Sequence, residues 1–152
     1  KNFDLNVFFR FSGGNKIMNA SRQSALFNMD FSNNGTEILG RWISPEQPGD
    51  GMTPKIGYGD ASSLFNDGYT DSHFVESGNY LKLSTLALGY TLPKAVVSKL
   101  NMTKIRFYVQ GQNLLTITGY SGLDPETNSR LGVDWNGMPQ QRSFTFGANI
   151  TF

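Results

Sequence analysis

The sequence has 152 residues, of which 38% are hydrophobic, with 12 Phe, 17 Gly and a formal net charge of +1. So small a net charge makes no field that would gather nucleic acid or an acidic substrate, and the lack of cysteine excludes disulfide frameworks, thiolate metal sites and cysteine nucleophiles together. Many aromatics and glycines at modest overall hydrophobicity point to β-structure with large connections. No run approaches the roughly 18 apolar residues of a membrane helix. No basic-then-apolar export segment opens the chain, so an exported protein would be either a mature form or one lacking its N-terminal part here.

The first element is predicted over residues 2–12, where Phe3, Leu5, Val7, Phe9 and Phe11 alternate with Asp4, Asn6 and Arg10. A long connection follows over residues 13–78. Within it, residues 21–29 have helix-compatible composition, and Asn34-Gly35-Thr36-Glu37 reads as a capping box ahead of residues 38–42, with Pro45 closing the segment. Residues 44–54 are rich in proline and glycine and should be irregular. The single histidine, His73, lies among Asp67 and Asp71 and reads as a surface residue of the connection, because one histidine without cysteine supplies few metal or catalytic partners.

The second strand is predicted over residues 79–92. Its alternation slips: Leu81 and Leu83 are odd, whereas Leu86, Leu88, Tyr90 and Leu92 are even, and one extra residue near Ser84-Thr85 would keep both sets on one face. Residues 93–102 form a short link, one or two helical turns with Pro93 at the first helical position. The third strand, residues 103–118, sets Ile105, Phe107, Val109, Leu115 and Ile117 against Arg106, Tyr108, Gln110, Gln112 and Thr116. A second long connection spans residues 119–141. The fourth strand, residues 142–152, sets Phe144, Phe146, Ala148, Ile150 and Phe152 against Ser143, Thr145, Gly147, Asn149 and Thr151.

Strands this long exceed the five or six residues usual in a soluble sheet and match the roughly 9–11 that a tilted membrane strand needs. Their polar face, with Arg10, Arg106, Tyr108, Gln110 and Gln112, suits a water-filled lumen, and the other face suits lipid. Short and long connections alternate, as in membrane barrels with tight turns on one side and elaborate loops on the other. A soluble β-sandwich, binding carbohydrate through its loop aromatics, is the alternative reading.

Chemistry is sparse. There is no Gly-x-Ser-x-Gly motif, Gly57-Tyr58-Gly59 is too short for a dinucleotide fingerprint, and Asp60, Asp67, Asp71, Asp124 and Asp134 match no calcium-loop spacing. No catalytic residue, cofactor or metal is expected, and an outer-membrane enzyme would lack its nucleophile and base. The connection aromatics Trp42, Tyr58, Phe65, Tyr69 and Trp135 either meet a ligand or partner or pack the long connections together.

Tyr80-Leu81-Lys82-Leu83-Ser84-Thr85-Leu86-Ala87-Leu88-Gly89-Tyr90-Thr91-Leu92-Pro93, Gln112-Asn113-Leu114-Leu115-Thr116, Tyr120-Ser121-Gly122-Leu123-Asp124-Pro125-Glu126, Pro139, Arg142 and the run from Phe144 to Phe152 resemble, in this order, the C-terminal end of SusC/RagA-family TonB-dependent outer-membrane transporters. Asn2-Phe3-Asp4-Leu5, Gly14-Asn15-Lys16-Ile17 and Arg41-Trp42 with Pro45 are similar too, so the likeness spans essentially the whole chain. It implies an all-β fold: antiparallel strands of the C-terminal part of a transmembrane β-barrel of about 22 strands, with a plug outside this chain and extracellular loops holding short helices. It further implies the outer membrane of a Gram-negative bacterium of the Bacteroidota, import of an oligosaccharide or peptide cargo, a SusD-like surface lipoprotein partner, TonB acting through the missing N-terminal part, and no nucleic acid. On the same likeness Phe144, Phe146, Ile150 and Phe152 form the signal for the barrel-assembly machinery, residues 93–102 are periplasmic, and residues 13–78 and 119–141 are extracellular.

Overall fold

The structure is a computed structural model and describes residues 2–27, 33–55, 72–126 and 131–152. In chain order its elements are β1 (Phe3–Ser12), β2 (Lys16–Asn19), α1 (Ala20–Phe27), β3 (Val75–Ser77), β4 (Tyr80–Thr91), α2 (Lys94–Val97), β5 (Lys104–Thr118), β6 (Val133–Asp134) and β7 (Ser143–Thr151), with 3₁₀ turns at Thr36–Gly40, Ser72–Phe74 and Ser98–Leu100. Among the described residues no helix is long and apolar enough to cross a membrane. The elements fall into two units: residues 1–13, 79–119 and 139–152 form one, and residues 14–78 and 120–138 form the other.

The first unit is a four-stranded antiparallel sheet in the order β1-β4-β5-β7. Its register carries the alternation of each strand across to the next. Phe3 pairs with Tyr90, Tyr90 with Phe107 and Phe107 with Ala148, while one row on, Asp4, Gly89, Tyr108 and Gly147 pair in the same sequence. The extra residue expected near Ser84 is present. Adjacent Phe8 and Phe9 face Thr85 and Leu83, which leaves Ser84 over. On its other side β5 sets Asn113 and Leu114 against that one residue, with Asn113 in the left-handed region at φ 52, a conformation asparagine tolerates better than most residues. The slip in β4 therefore keeps Leu81 and Leu83 on the face of Leu86 and Leu88.

Both long connections leave the sheet at the end marked by the Ser12, Tyr80 and Thr118 pairs, and the short link joins β4 to β5 at the other. In that link Pro93 is the cap and not the first helical residue: its ψ of 145° is extended, while its carbonyl accepts from the amides of Val96 and Val97. A capping residue keeps non-helical backbone and offers its carbonyl to the first turn, a role proline's fixed φ permits.

The second unit holds a small sheet in the order β3-β2-β6, in which β2 runs antiparallel to β3 and parallel to β6. Ile17, Ala20, Leu26, Phe74 and Tyr120 are its buried core. The helix expected over residues 21–29 begins one residue earlier, and Asn19 caps it, its Oδ1 accepting the amide of Arg22 at 2.9 Å. Residues 28 and 29 lie outside the described residues. The expected capping box does not form: Gly35 precedes the Thr36–Gly40 turn without a side-chain cap. Glu37 is drawn to Arg22 instead, a charged partner that outcompetes a backbone amide.

Candidate functional site

The sheet offers two chemically opposite faces. Phe3, Leu5, Val7, Phe9 and Phe11 of β1 share one face with Tyr90, Leu88, Leu86, Leu83 and Leu81 of β4, Phe107, Val109, Leu115 and Ile117 of β5, and Phe144, Phe146 and Ala148 of β7. A sandwich would bury this face beneath a second layer. Phe144, Phe146 and Ile150 are instead 66%, 78% and 49% exposed, so the described chain supplies no such layer and the sandwich reading fails.

The opposite face is polar. The five residues expected to share it, Arg10, Arg106, Tyr108, Gln110 and Gln112, do so by register: Arg10 pairs with Lys82, Arg106 with Thr91 and Asn149, Tyr108 with Gly89 and Gly147, Gln110 with Ala87 and Thr145, and Gln112 with Thr85 and Ser143. Arg106 reaches across β4 to Asp4 on β1, its Nε 3.0 Å from one carboxylate oxygen and its terminal nitrogen 2.5 Å from the other. The guanidinium also lies 5.3 Å from the centre of the Tyr108 ring. Two glycines make this possible. A Cβ on Gly89 would collide with the ion pair that passes over it, and one on Gly147 would collide with the Tyr108 ring.

Asp4 was not among the sequence candidates. Its partner lies on a strand that is not its neighbour, and no pattern within one strand reveals that. The arrangement predicts that Gly89→Val lowers the unfolding temperature of the assembled barrel. Adding both Asp4→Ala and Arg106→Ala should recover most of the loss, because the two colliding side chains are then gone; a combined variant as unstable as Gly89→Val alone would refute this account.

The second unit holds several hydrogen-bonded carboxylates, and one of them, Glu76, bridges the two long connections. Glu76 on β3 accepts from the amide of Ser121 at 2.8 Å and its hydroxyl at 2.7 Å, and from the side-chain amide of Asn19 at 3.2 Å. Arg22 on α1 lies 3.5 Å from Glu76, forms a two-pronged ion pair with Glu37, and stacks 5.8 Å from the centre of the Phe74 ring. Tyr120 donates to Asp134 at 2.6 Å, and Asp134 in turn accepts from the amides of Asn136 and Gly137.

Burial by itself would raise the Glu76 carboxyl, but the donors of Ser121 and Asn19 and the charge of Arg22 outweigh it and hold the group below its ordinary range. The Arg22 contact does the same for Glu37, against burial and with help from His73. The stability these groups contribute is therefore present above the ordinary carboxylate range and lost as pH falls through their lowered values. Burial, followed by the Asp134 contact, raises Tyr120 far above the usual phenol, so its hydroxyl stays a donor across the physiological range.

His73 departs from the expected surface position. Its side chain is 14% exposed, its Nε2 lies 3.3 Å from Glu37, and its ring meets Phe74 edge-on. Of the connection aromatics, Trp42 and Trp135 are described, while Tyr58, Phe65 and Tyr69 lie outside the described residues. Trp42 carries Lys55 over its ring, in a segment organised by Asp50, which accepts from the amides of Met52 and Thr53 and the Thr53 hydroxyl. Trp135 lines an open cleft of about 290 Å³ with Ala20, Ser21, Ser24 and Asn136. Asp124 accepts the amide of Glu126, a local turn contact.

No protein-family model matches the chain. TonB-dependent receptor P3 of Formosa agariphila is 32% identical across all of this chain, which spans 15% of that receptor's length. TonB-dependent receptor SusC of Bacteroides thetaiotaomicron is 26% identical, again across the whole chain and 14% of the relative. The solved RagAB peptide transporter superposes on the whole chain with a TM-score of 0.81 at 26% identity, over 16% of its own chain. From end to end the chain matches one stretch of the SusC/RagA-type TonB-dependent receptors. Another solved structure of the family, the RagAB peptide importer in its open-open state, matches with a TM-score of 0.77 at 26% identity. The polar and apolar faces of the four-stranded sheet are thus those of a barrel segment in this family, whose relatives are receptors and importers and not enzymes.

Proposed function

We propose that this chain forms part of the wall and external loops of an outer-membrane nutrient importer of the Bacteroidota. The observation that carries this reading is a single sheet with one largely exposed apolar face and one polar face, on strands long enough to cross a bilayer. Lipid meets the first face, and Arg10, Arg106, Tyr108, Gln110 and Gln112 meet water in the lumen. Residues 93–102 turn in the periplasm, and residues 13–78 and 119–141 stand outside the cell. Four strands leave two open edges, so the remaining wall, the plug and the contact with TonB come from sequence outside this chain.

The cargo is a peptide or an oligosaccharide. The names of the RagAB structures support the peptide class. A SusD-like lipoprotein covers the external side, with Trp42, Tyr58, Tyr69 and Trp135 near it or near the cargo, and Phe144, Phe146, Ile150 and Phe152 are read by the barrel-assembly machinery. Cysteine placed at Tyr108 in the assembled receptor should react with a membrane-impermeant, water-borne thiol reagent, and cysteine at the adjacent Phe107 should not. Equal labelling at the two positions would remove the assignment of faces.

A further inference from the structure

The two long connections are separated in sequence by β4, the short link and β5, yet they meet through a strand pairing and a set of hydrogen bonds. β2 from the first connection lies parallel to β6 from the second, Met18 facing Val133 and Asn19 facing Asp134, and the Met18 amide donates to the Gly132 carbonyl at 2.8 Å. Glu76 of the first connection accepts both the amide and the hydroxyl of Ser121 in the second, while Asn19 donates to the Ser121 hydroxyl at 3.1 Å and to Glu76. Tyr120 and Asp134, both of the second connection, are among the buried residues of the same unit as Ile17 and Phe74 of the first.

We infer that the described parts of the two connections that meet at this joint work as one rigid body, coupled through the Glu76 carboxylate, so that a displacement of either carries the other with it. Two parallel strands of two to four residues cannot hold a pairing alone, since even an isolated hairpin is marginal in water. A part-buried carboxylate with three donors and a nearby guanidinium can hold it. Charged hydrogen bonds are about twice as strong as neutral ones, and breaking one leaves the remaining groups unmet. Among the described residues the charged groups around this joint include Arg22 of α1, Glu37 of the Thr36–Gly40 turn, His73 of the Ser72–Phe74 turn and Asp134 of β6. Of these, Arg22 lies within ion-pair distance of Glu76 itself. The inference goes beyond transport, and it holds whatever the parent receptor carries.

Two backbone amides report directly on the joint: that of Met18, bonded to Gly132, and that of Ser121, bonded to Glu76. In the full-length receptor in detergent, amide hydrogen exchange should give both the same opening rate. Glu76→Ala should raise exchange of both, and of residues 131–138 in the other connection, by at least about tenfold, while the amides of β5 stay unchanged. Glu76→Gln, which keeps an acceptor, should fall between. Rigid-body coupling is overturned if Met18 and Ser121 open at different rates in the unaltered receptor, or if exchange at residues 131–138 is unmoved in both variants. Should Glu76→Ala fail to assemble, Ser121→Ala tests the same joint from the second connection, with a rise at Met18 expected and no change counting against coupling.

Discussion

Phe74→Ala will loosen the connection unit while leaving the barrel sheet assembled. The Phe74 side chain is wholly buried in a small core with Ile17, Ala20, Leu26 and Tyr120, and Arg22 and His73 pack on its ring. Removing such a ring costs about 3–5 kcal/mol, part for lost transfer energy and part for the cavity left behind. A core this small has few neighbours able to collapse into the gap. In the purified receptor, limited proteolysis should cut the connections of the variant much faster than those of the parent, with the strand segments still protected. Unchanged protection would mean that the unit is held by something other than its core.

The second large effect lies on the other unit. Val109 sits mid-strand on the apolar face, paired with Leu88 on one side and Phe146 on the other. An arginine facing lipid near the bilayer midplane costs about 2–4 kcal/mol, whereas one facing the lumen can remain hydrated. Val109→Arg should therefore reduce the folding free energy of the receptor in liposomes by that amount. Gln110→Arg, one residue along the same strand, should change it little. Equal losses from both would show that the strand does not separate lipid from water.

Much of the fold was legible because strand geometry is local. Successive side chains point to opposite faces, so Phe144, Phe146, Ala148 and Ile150 set against Ser143, Thr145, Gly147 and Asn149 define two faces without knowledge of any neighbour. Even the slip in β4 could be read, since Leu83 and Leu86 share a face only if one residue is extra. The connections were a different case. The parallel pairing of β2 with β6 joins segments more than a hundred residues apart, and Val133–Asp134 is too short to carry any periodic signal. Glu37 fitted a capping box, but local propensity lost to a charged partner in α1.

The order of residues alone determined which side chains of each strand lie together and which lie opposite, because backbone pleating fixes that within a few residues. Tertiary structure alone decided which strands are neighbours, that Asp4 meets Arg106 over Gly89, and that two connections fold as one. Those outcomes depend on which donors and acceptors the chain brings within about 3 Å of one another, and hydrogen bonds and ion pairs, unlike pleating, carry no mark in the sequence between them.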